Sequence, residues 1–341
     1  MLRGFSSRHS SGNRGCHVLI AQAPLRISLF GGGSDLPAFL ERNDGAVLSF
    51  TIDKRVYVVG HPFTHRNGIL LKYSKTEDVQ DPQQLQHPIA RVVLERYDLN
   101  DMDIAVMSDV PAGTGMGSSS SFTVALLAFA RHAKGIPTSS VDLAREACEI
   151  EIDILKEPIG YQDQWASALG GINVIRFNGS SDRSVTVEQV AVTAHATQML
   201  EQNLHLFPVG EPRSASKLLI RQQTELTAGS KAEQITRRMV NLVEQGHRAI
   251  VTNVDDLGPL LHEAWSLKRE ISQSISTRKV NAVYERGLVA GATGGKLLGA
   301  GGSGYLALYV PEENSERFRK RFTSKLPIRI SSIGAGALDA S

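Results

Sequence analysis

Cysteine is almost absent. Cys16 and Cys148 are the only two, too few for a disulfide-built scaffold and without the paired spacing of a zinc site. Net charge is nearly absent too. With 37 Lys and Arg against 35 Asp and Glu, the formal balance is +2, which argues against nucleic acid or a membrane surface as a partner held by charge. No stretch approaches the ~18 consecutive apolar residues of a membrane-spanning helix. No apolar segment follows the first arginines, which excludes a secretory signal. Residues 1–17 contain no acid and show no apolar periodicity. They read as a disordered tail, and their Ser- and Arg-rich composition also suits a transit peptide, although no amphipathic helix is visible. The expectation is a soluble cytoplasmic protein, a monomer or homodimer, with a small molecule as partner and neither nucleic acid nor membrane.

What is present is a sizeable core and a surplus of glycine. Hydrophobic residues make up 41% of 341, and there are 31 glycines, a length and composition suited to two domains of roughly 150 residues. Residues 17–30 read as two short strands broken at Pro24, and 46–62 as strands. Residues 64–88 are polar, 89–97 suit a helix and 103–107 a short strand. Residues 118–132 form a helix ended by Gly135 and Pro137, and 139–156 a second helix with a Ser139/Asp142 capping box. Strands are expected at 173–177 and 184–192. Helices follow at 214–223, 231–245, 257–274 and 280–290. Two strand-like pieces flank a glycine cluster in 296–310, then come a helix at 313–325 and a closing strand at 328–333. The first half is strand-rich and the second helix-rich, which favours an α+β protein of two lobes divided near 180–210. The division is set at 18–195 and 196–341.

Three glycine clusters carry the chemistry. In residues 109–122 (DVPAGTGMGSSSSF), a strand leads through Gly113, Gly115 and Gly117 into a helix whose first turn is Ser118 to Ser121. Spaced glycines let a backbone approach a ligand closely. A helix N-terminus with unpaired amides and hydroxyls is an anion site, so phosphate is the natural guest, and a tight turn with serine caps is the plainer alternative. No Gly-Lys-Ser/Thr closes the segment, so it is not a Walker A loop. Residues 299–304 (GAGGSG) match the dinucleotide fingerprint formally, but a strand follows where a helix is required. That loop suits close approach to a ligand or to the first loop, or a plain glycine hairpin. In residues 30–37 (FGGGSDLP), Ser34 and Asp35 either cap a short helix or bind a polyhydroxyl substrate.

Residues 24–35 (PLRISLFGGGSD), 111–120 (PAGTGMGSSS) and 296–304 (KLLGAGGSG) together resemble the GHMP kinase superfamily, the galacto-, homoserine, mevalonate and phosphomevalonate kinases. The resemblance covers about residues 18–341. It is nearest to the D-glycero-D-manno-heptose 7-phosphate kinase branch, through 161–173 (YQDQWASALGGIN), 212–216 (PRSAS) and 262–268 (HEAWSLK). It implies a two-lobed α+β fold with the active site between the lobes, and ATP and Mg²⁺ as cofactors. It implies that Pro111, Ala112, Gly113, Thr114, Gly115, Met116, Gly117, Ser118, Ser119 and Ser120 cradle the nucleotide phosphates. Ser119 and Glu151 match the metal positions. Read from its helix alone, Glu151 lies near the apolar stripe and either needs a partner or flanks it and reaches solvent. Glu149 is the fallback ligand, or a partner of Arg145. Asp163 matches the catalytic aspartate and Arg26 the basic residue beside it, where a cation favours the charged carboxylate. Ser34 and Asp35 fall at the sugar-hydroxyl position. Gly301 and Gly302 fall in the third motif on the substrate side, and Arg213 and Lys268 are candidates for a distal substrate phosphate. Ser303 interrupts the usual glycine run, and a positive φ there would strain the loop by ~1–3 kcal/mol.

The function this implies is phosphoryl transfer from ATP to the anomeric hydroxyl of a heptose 7-phosphate or a related sugar. Two alternatives share the fold. One is an ATP-using enzyme acting on another small metabolite, such as a decarboxylase of the diphosphomevalonate type, against which the polar GGGSDLP loop argues. The other is a non-catalytic sugar and ATP sensor, which could lose Asp163 or Glu151; both are present. His61 and His65 flank Pro62 in an apparent strand-turn and are set aside as surface residues.

Overall fold

The structure is a computed structural model and describes residues 18–179, 184–211, 216–272, 274–323 and 325–340. The expected tail, 1–17, and Arg213 lie outside the described residues. Strands β1 (Val18–Phe30), β2 (Gly45–Pro62), β3 (Ile69–Lys72), β4 (Thr76–Val79), β5 (Met102–Ser108), β6 (Ile172–Phe177) and β7 (Val185–Gln189) build one sheet. Strands β8 (Leu204–Val209), β9 (Gly294–Leu297) and β10 (Gly304–Tyr309) build a second, and β11 (Gly336–Ala340) returns to pair with β1. The helices are α1 (Pro37–Leu40), α2 (Pro88–Arg96), α3 (Ser118–Ala133), α4 (Ser140–Cys148), α5 (Gln162–Leu169), α6 (Ala194–Asn203), α7 (Ser216–Glu225), α8 (Lys231–Thr252), α9 (Leu257–Ile271), α10 (Arg278–Ala290) and α11 (Ser315–Arg319). The α+β class expected from the sequence is the one observed.

β1 runs through Pro24 instead of breaking there. Its register against β2 shifts between Pro24 and Arg26 and again between Ser28 and Phe30. Bulges of this kind accommodate a residue that cannot donate to the ladder, and they re-aim the side chains that follow. On its other edge, β2 pairs first with β6 and then, after it diverges, with β5. Over this sheet lies α3, buried continuously from Ser120 to Ala130, as an all-round apolar helix must be. The Ser139 cap of α4 forms as read, its hydroxyl accepting from the Asp142 amide at 3.1 Å. The helix then continues into a π-helical turn over Glu149–Ile154.

The second sheet packs on α9 and α10 around buried Trp265, Phe207 and Phe318. α8 lies against β1 and β2 where Gly246 meets Phe30; a Cβ there would come within 2.3 Å of the ring. Two expectations near the C-terminus fail. The helix expected over 313–325 is the short α11. The strand expected over 328–333 is a crossing segment with one bridge, Ile52 to Ile330. The strand that closes the sheet is β11, whose sequence GALDA has little β propensity. Its place beside β1, not its residue types, makes it a strand.

Candidate active site

A cavity of about 610 Å³ is lined by β1, β5, the start of α3, α5, α7, α9 and the segment from Lys296 to Ala300. The bulge in β1 turns Arg26 toward it. The guanidinium is buried and grips Asp163 with both prongs, Nε to Oδ1 at 2.7 Å and Nη2 to Oδ2 at 2.8 Å. Asp163 sits in the first turn of α5, its side chain about a quarter exposed to the cavity. The third guanidinium nitrogen donates to the Gly115 carbonyl at 2.6 Å, and the Arg26 amide donates to Met116 at 3.1 Å. One arginine therefore ties the carboxylate to the glycine loop.

The loop stands on positive φ at Gly113, Gly115 and Gly117, and Gly117 caps α3. Gly115 packs on the third motif so closely that a Cβ would lie 2.5 Å from the Leu298 carbonyl. The third motif thus approaches the phosphate-type loop, and the Tyr305 amide donates to Thr114 at 3.2 Å across the contact. Ala112, Gly113, Gly115, Gly117, Ser118, Ser119 and Ser120 line the cavity. Pro111, Thr114 and Met116 instead shape the loop: the Thr114 hydroxyl donates to the Pro111 carbonyl, and Met116 is buried.

Glu151 lies on the π-helical turn, a distortion frequent at functional sites, and is buried where the turn meets α3. Its carboxylate accepts from Ser120 Oγ at 2.8 Å, Thr123 Oγ1 at 2.8 Å and Gln164 Nε2 at 2.6 Å. All three donors are neutral. Burial raises the carboxyl to about 7 against their opposing pull, with Asp163 adding to the rise. Ser119, one residue earlier on the helix, is exposed, and the hydroxyl that touches Glu151 is that of Ser120. Glu149 pairs with Arg96 at 2.6 Å on the surface, not with Arg145, and does not line the cavity.

Asp35 is buried at the edge of the same cavity and accepts from the Gly33 amide at 3.0 Å and the Gln162 amide at 3.2 Å. Burial and the neighbouring Asp163 push its carboxyl up, and those amides pull it back. Ser34 is fully buried and engaged with the Ala46 backbone on both its hydroxyl functions, so it fastens the loop to β2 and does not line the cavity. Lys268, buried on α9, donates to the Gly299 carbonyl at 2.6 Å. Burial and then Arg26 lower it to about 8, while Asp35 acts the other way. Lys296, on β9, donates to the Leu29 carbonyl at 2.8 Å and is held well below the usual lysine range by burial, Lys268 and Arg26.

Lys296 was invisible to sequence reading as a site residue because only the pairing of distant elements brings it here. Gly301 and Gly302 pack on Ile275 outside the cavity, whereas Gly299 and Ala300 line it. Ser303 does not take a positive φ, so the strain considered for it does not arise. Val56, Tyr73, His87, Val106 and Phe122 also line the cavity, and the rings of Tyr73, His87 and Phe122 touch one another in series. Among the described residues, no group of three or more His, Cys, Asp or Glu side chains could hold a metal by itself. No helix among them is long and apolar enough to cross a membrane.

A glycine-rich loop that opens α3, an arginine that ties it to a cavity-facing aspartate, and two buried lysines on the same cavity are parts that phosphoryl transfer calls for. Residues 85–171 match the family model described as GHMP kinases N terminal domain. A D-glycero-alpha-D-manno-heptose 7-phosphate kinase of Campylobacter jejuni is 24% identical over 85% of this chain and 88% of its own. A solved D-glycero-D-manno-heptose 1-phosphate kinase of Bacteroides thetaiotaomicron has 21% identity and a TM-score of 0.77, covering 95% of this chain and 99% of that one. The galactokinase of Lactococcus lactis, solved with galactose, has 15% identity and a TM-score of 0.69, covering 95% of both chains. The resemblance read from the three glycine motifs is thereby borne out, and the fold is that of these kinases over nearly the whole chain.

Proposed function

We propose that the protein is an ATP-dependent sugar kinase that transfers the γ-phosphoryl group to the anomeric hydroxyl of a heptose 7-phosphate or a related sugar. The observation that carries the reading is the Arg26–Asp163 pair fixed to the underside of the glycine loop. Phosphoryl transfer is mostly a matter of positioning and charge neutralisation. The loop amides and the start of α3 hold the phosphates. The acceptor hydroxyl donates to Asp163; its oxygen attacks the γ-phosphorus, the bond to the β-phosphate oxygen breaks, and the hydroxyl proton passes to Asp163. Arg26 fixes the carboxylate against the loop, so donor and acceptor keep one geometry. Lys268 and Lys296 border the same space, where the negative charge of the transferred group or of an acceptor phosphate would favour their protonated forms. The ring cluster of Tyr73, His87 and Phe122 offers a flat base aromatic faces to stack on.

Mg²⁺ fits this site. In such reactions it binds one or two carboxylates together with phosphate oxygens and water. Glu151 is a cavity-lining carboxylate, buried with no cationic partner among its hydrogen bonds, which is where a cation is wanted. Glu151 with the hydroxyl of Ser119 or Ser120 would hold it, and it would neutralise phosphate charge. On this reading the lobes divide at 195/196 and the protein acts in the cytoplasm.

The test is a coupled ATPase screen over heptose phosphates, hexose phosphates, free sugars and mevalonate, with phosphorus NMR of the product. A sugar 1-phosphate product supports the proposal. ATP bound without turnover of any acceptor favours the sensor alternative, and turnover of mevalonate alone overturns the sugar reading.

A further inference from the structure

The side chains of Ser28, Gln162 and Gln222 take no part in the chemistry described above. Each lines the cavity and presents a buried polar atom with no hydrogen-bond partner among the described residues: Ser28 Oγ, Gln162 Oε1 and Gln222 Nε2. Unpartnered buried polar atoms are rare and costly, and several at one place need a reason. These three come from separate elements, β1, α5 and α7, and converge on two consecutive glycines. A Cβ on Gly32 would lie 3.5 Å from Ser28 Oγ and 3.8 Å from Gln162 Nε2, and one on Gly33 only 2.7 Å from Gln222 Nε2. Missing side chains thus make the room into which the polar atoms point. Asp35 borders the space, each of its oxygens taking one backbone amide and keeping capacity for another donor.

The chemistry of this set is specific. A hydroxyl can donate or accept, Oε1 accepts and Nε2 donates, and beside them stands a carboxylate. Only a ligand that carries several neighbouring groups, each both donor and acceptor, satisfies them together, and a polyol is such a ligand. An apolar acceptor would leave them dry and unpaired. Asp35, the carboxylate at the sugar-hydroxyl position, borders this space and is held by the Gly33 and Gln162 amides, so the occupant is the acceptor and not the nucleotide. We infer that Ser28, Gln162 and Gln222 read adjacent hydroxyls of a polyol acceptor and set acceptor specificity. This rests on the sugar-kinase reading.

The experiment compares wild type with Ser28→Ala, Gln222→Leu and Gly32→Ala. Gly32 has no positive φ and a Cβ there meets only ordinary contacts, so Gly32→Ala tests the space even if a core-facing variant folds poorly. The probes are D-glycero-D-manno-heptose 7-phosphate, D-galactose and L-fucose, measured by calorimetric binding with ADP present and by steady-state turnover with ATP. For whichever sugar binds the wild type, the variants should raise Kd and KM by about tenfold or more, with the KM for ATP unchanged and kcat falling less than KM rises. Gln222→Asn should recover more affinity than Gln222→Leu. Folded variants with wild-type sugar affinity would overturn this inference and leave the kinase reading standing. A wild type that binds ATP and none of the three sugars would overturn the sugar reading, and this inference with it.

Discussion

Asp163 already has both oxygens engaged by Arg26, and this limits what a substitution there can do. Asn keeps the size and can still accept from the acceptor hydroxyl, but it takes no proton and breaks the two-pronged pair. Asp163→Asn should leave ATP binding intact and lower kcat by roughly 10²–10⁴-fold, the range for losing a positioned base. Arg26→Ala should be non-additive with it, because each removes the other's partner. A variant that kept most of wild-type kcat with chemistry rate-limiting would make Asp163 a positioning residue only. Glu151 makes a second prediction, from its pH behaviour. Its folded pKa, about 7, lies above the ordinary 4.5, so between those values the folded state binds more protons than the unfolded one. Stability that is present below 4.5 is therefore lost as pH rises toward 7, by roughly 3 kcal/mol if no cation is bound. Glu151→Gln removes the titration. In metal-free thermal denaturation from pH 4.5 to 8, wild type should lose stability relative to the variant, and parallel curves would contradict the assignment. Turnover by the variant should need more Mg²⁺ and be slower, since an amide is a poorer hard-cation ligand.

The loops behave as a pair. Gly115 and Gly299 touch backbone to backbone, and a Cβ on either would drive the two motifs apart. Gly115→Val should weaken ATP binding by about tenfold or more through that displacement, while Gly336→Ala, with nothing near its Cβ, should leave it unchanged. Equal nucleotide affinity in a folded Gly115→Val protein would remove the phosphate-loop reading. This loop was legible in the sequence because its determinants are local: alternate glycines, then four serines opening an apolar helix. Asp163 and Arg26 came from the family resemblance, not from spacing, and α5 itself was not read as an element. The β3–β4 hairpin was hidden in a polar stretch because its short strands are half exposed. Ser28, Gln162 and Lys296 lie inside the motif segments but were not singled out, since what makes them site residues is the meeting of β1, α5 and β9 around one cavity. The segment 328–333 misled for the converse reason. Its alternating Ile pattern suits a strand, yet it crosses over β2 and bonds at separate points.

That crossing segment ties the C-terminus to the site at the scale of the whole molecule. Ser331 accepts from Thr51 Oγ1 at 2.6 Å and from the Gly171 amide at 2.8 Å, and the buried Arg55 donates to its hydroxyl at 2.6 Å. Three residues on, Gly334 lies against Gly170, and the Ala335 amide donates to Ala168 at 3.2 Å, near the end of α5. The other end of that eight-residue helix carries Asp163. Beyond it, β11 covers the outer edge of β1, the strand that carries Arg26. Two truncations separate these contributions. A chain ending after Ala335 loses the β11 ladder and the contact of Asp339 with His132 on α3. It should unfold at a lower temperature, retain ATP binding and turn over, and it should self-associate more because an edge strand is uncovered. A chain ending after Pro327 also loses the contacts of Ser331 and Ala335, leaves Arg55 buried with its partners gone, and frees the end of α5. It should lose cooperative unfolding and turnover together, since removing one side of a buried charged hydrogen bond is strongly destabilising. Differential scanning calorimetry with nucleotide titration distinguishes the two. If the shorter chain unfolded at the wild-type temperature with ATP bound normally, the C-terminal segment would be a cover and not a support for the site.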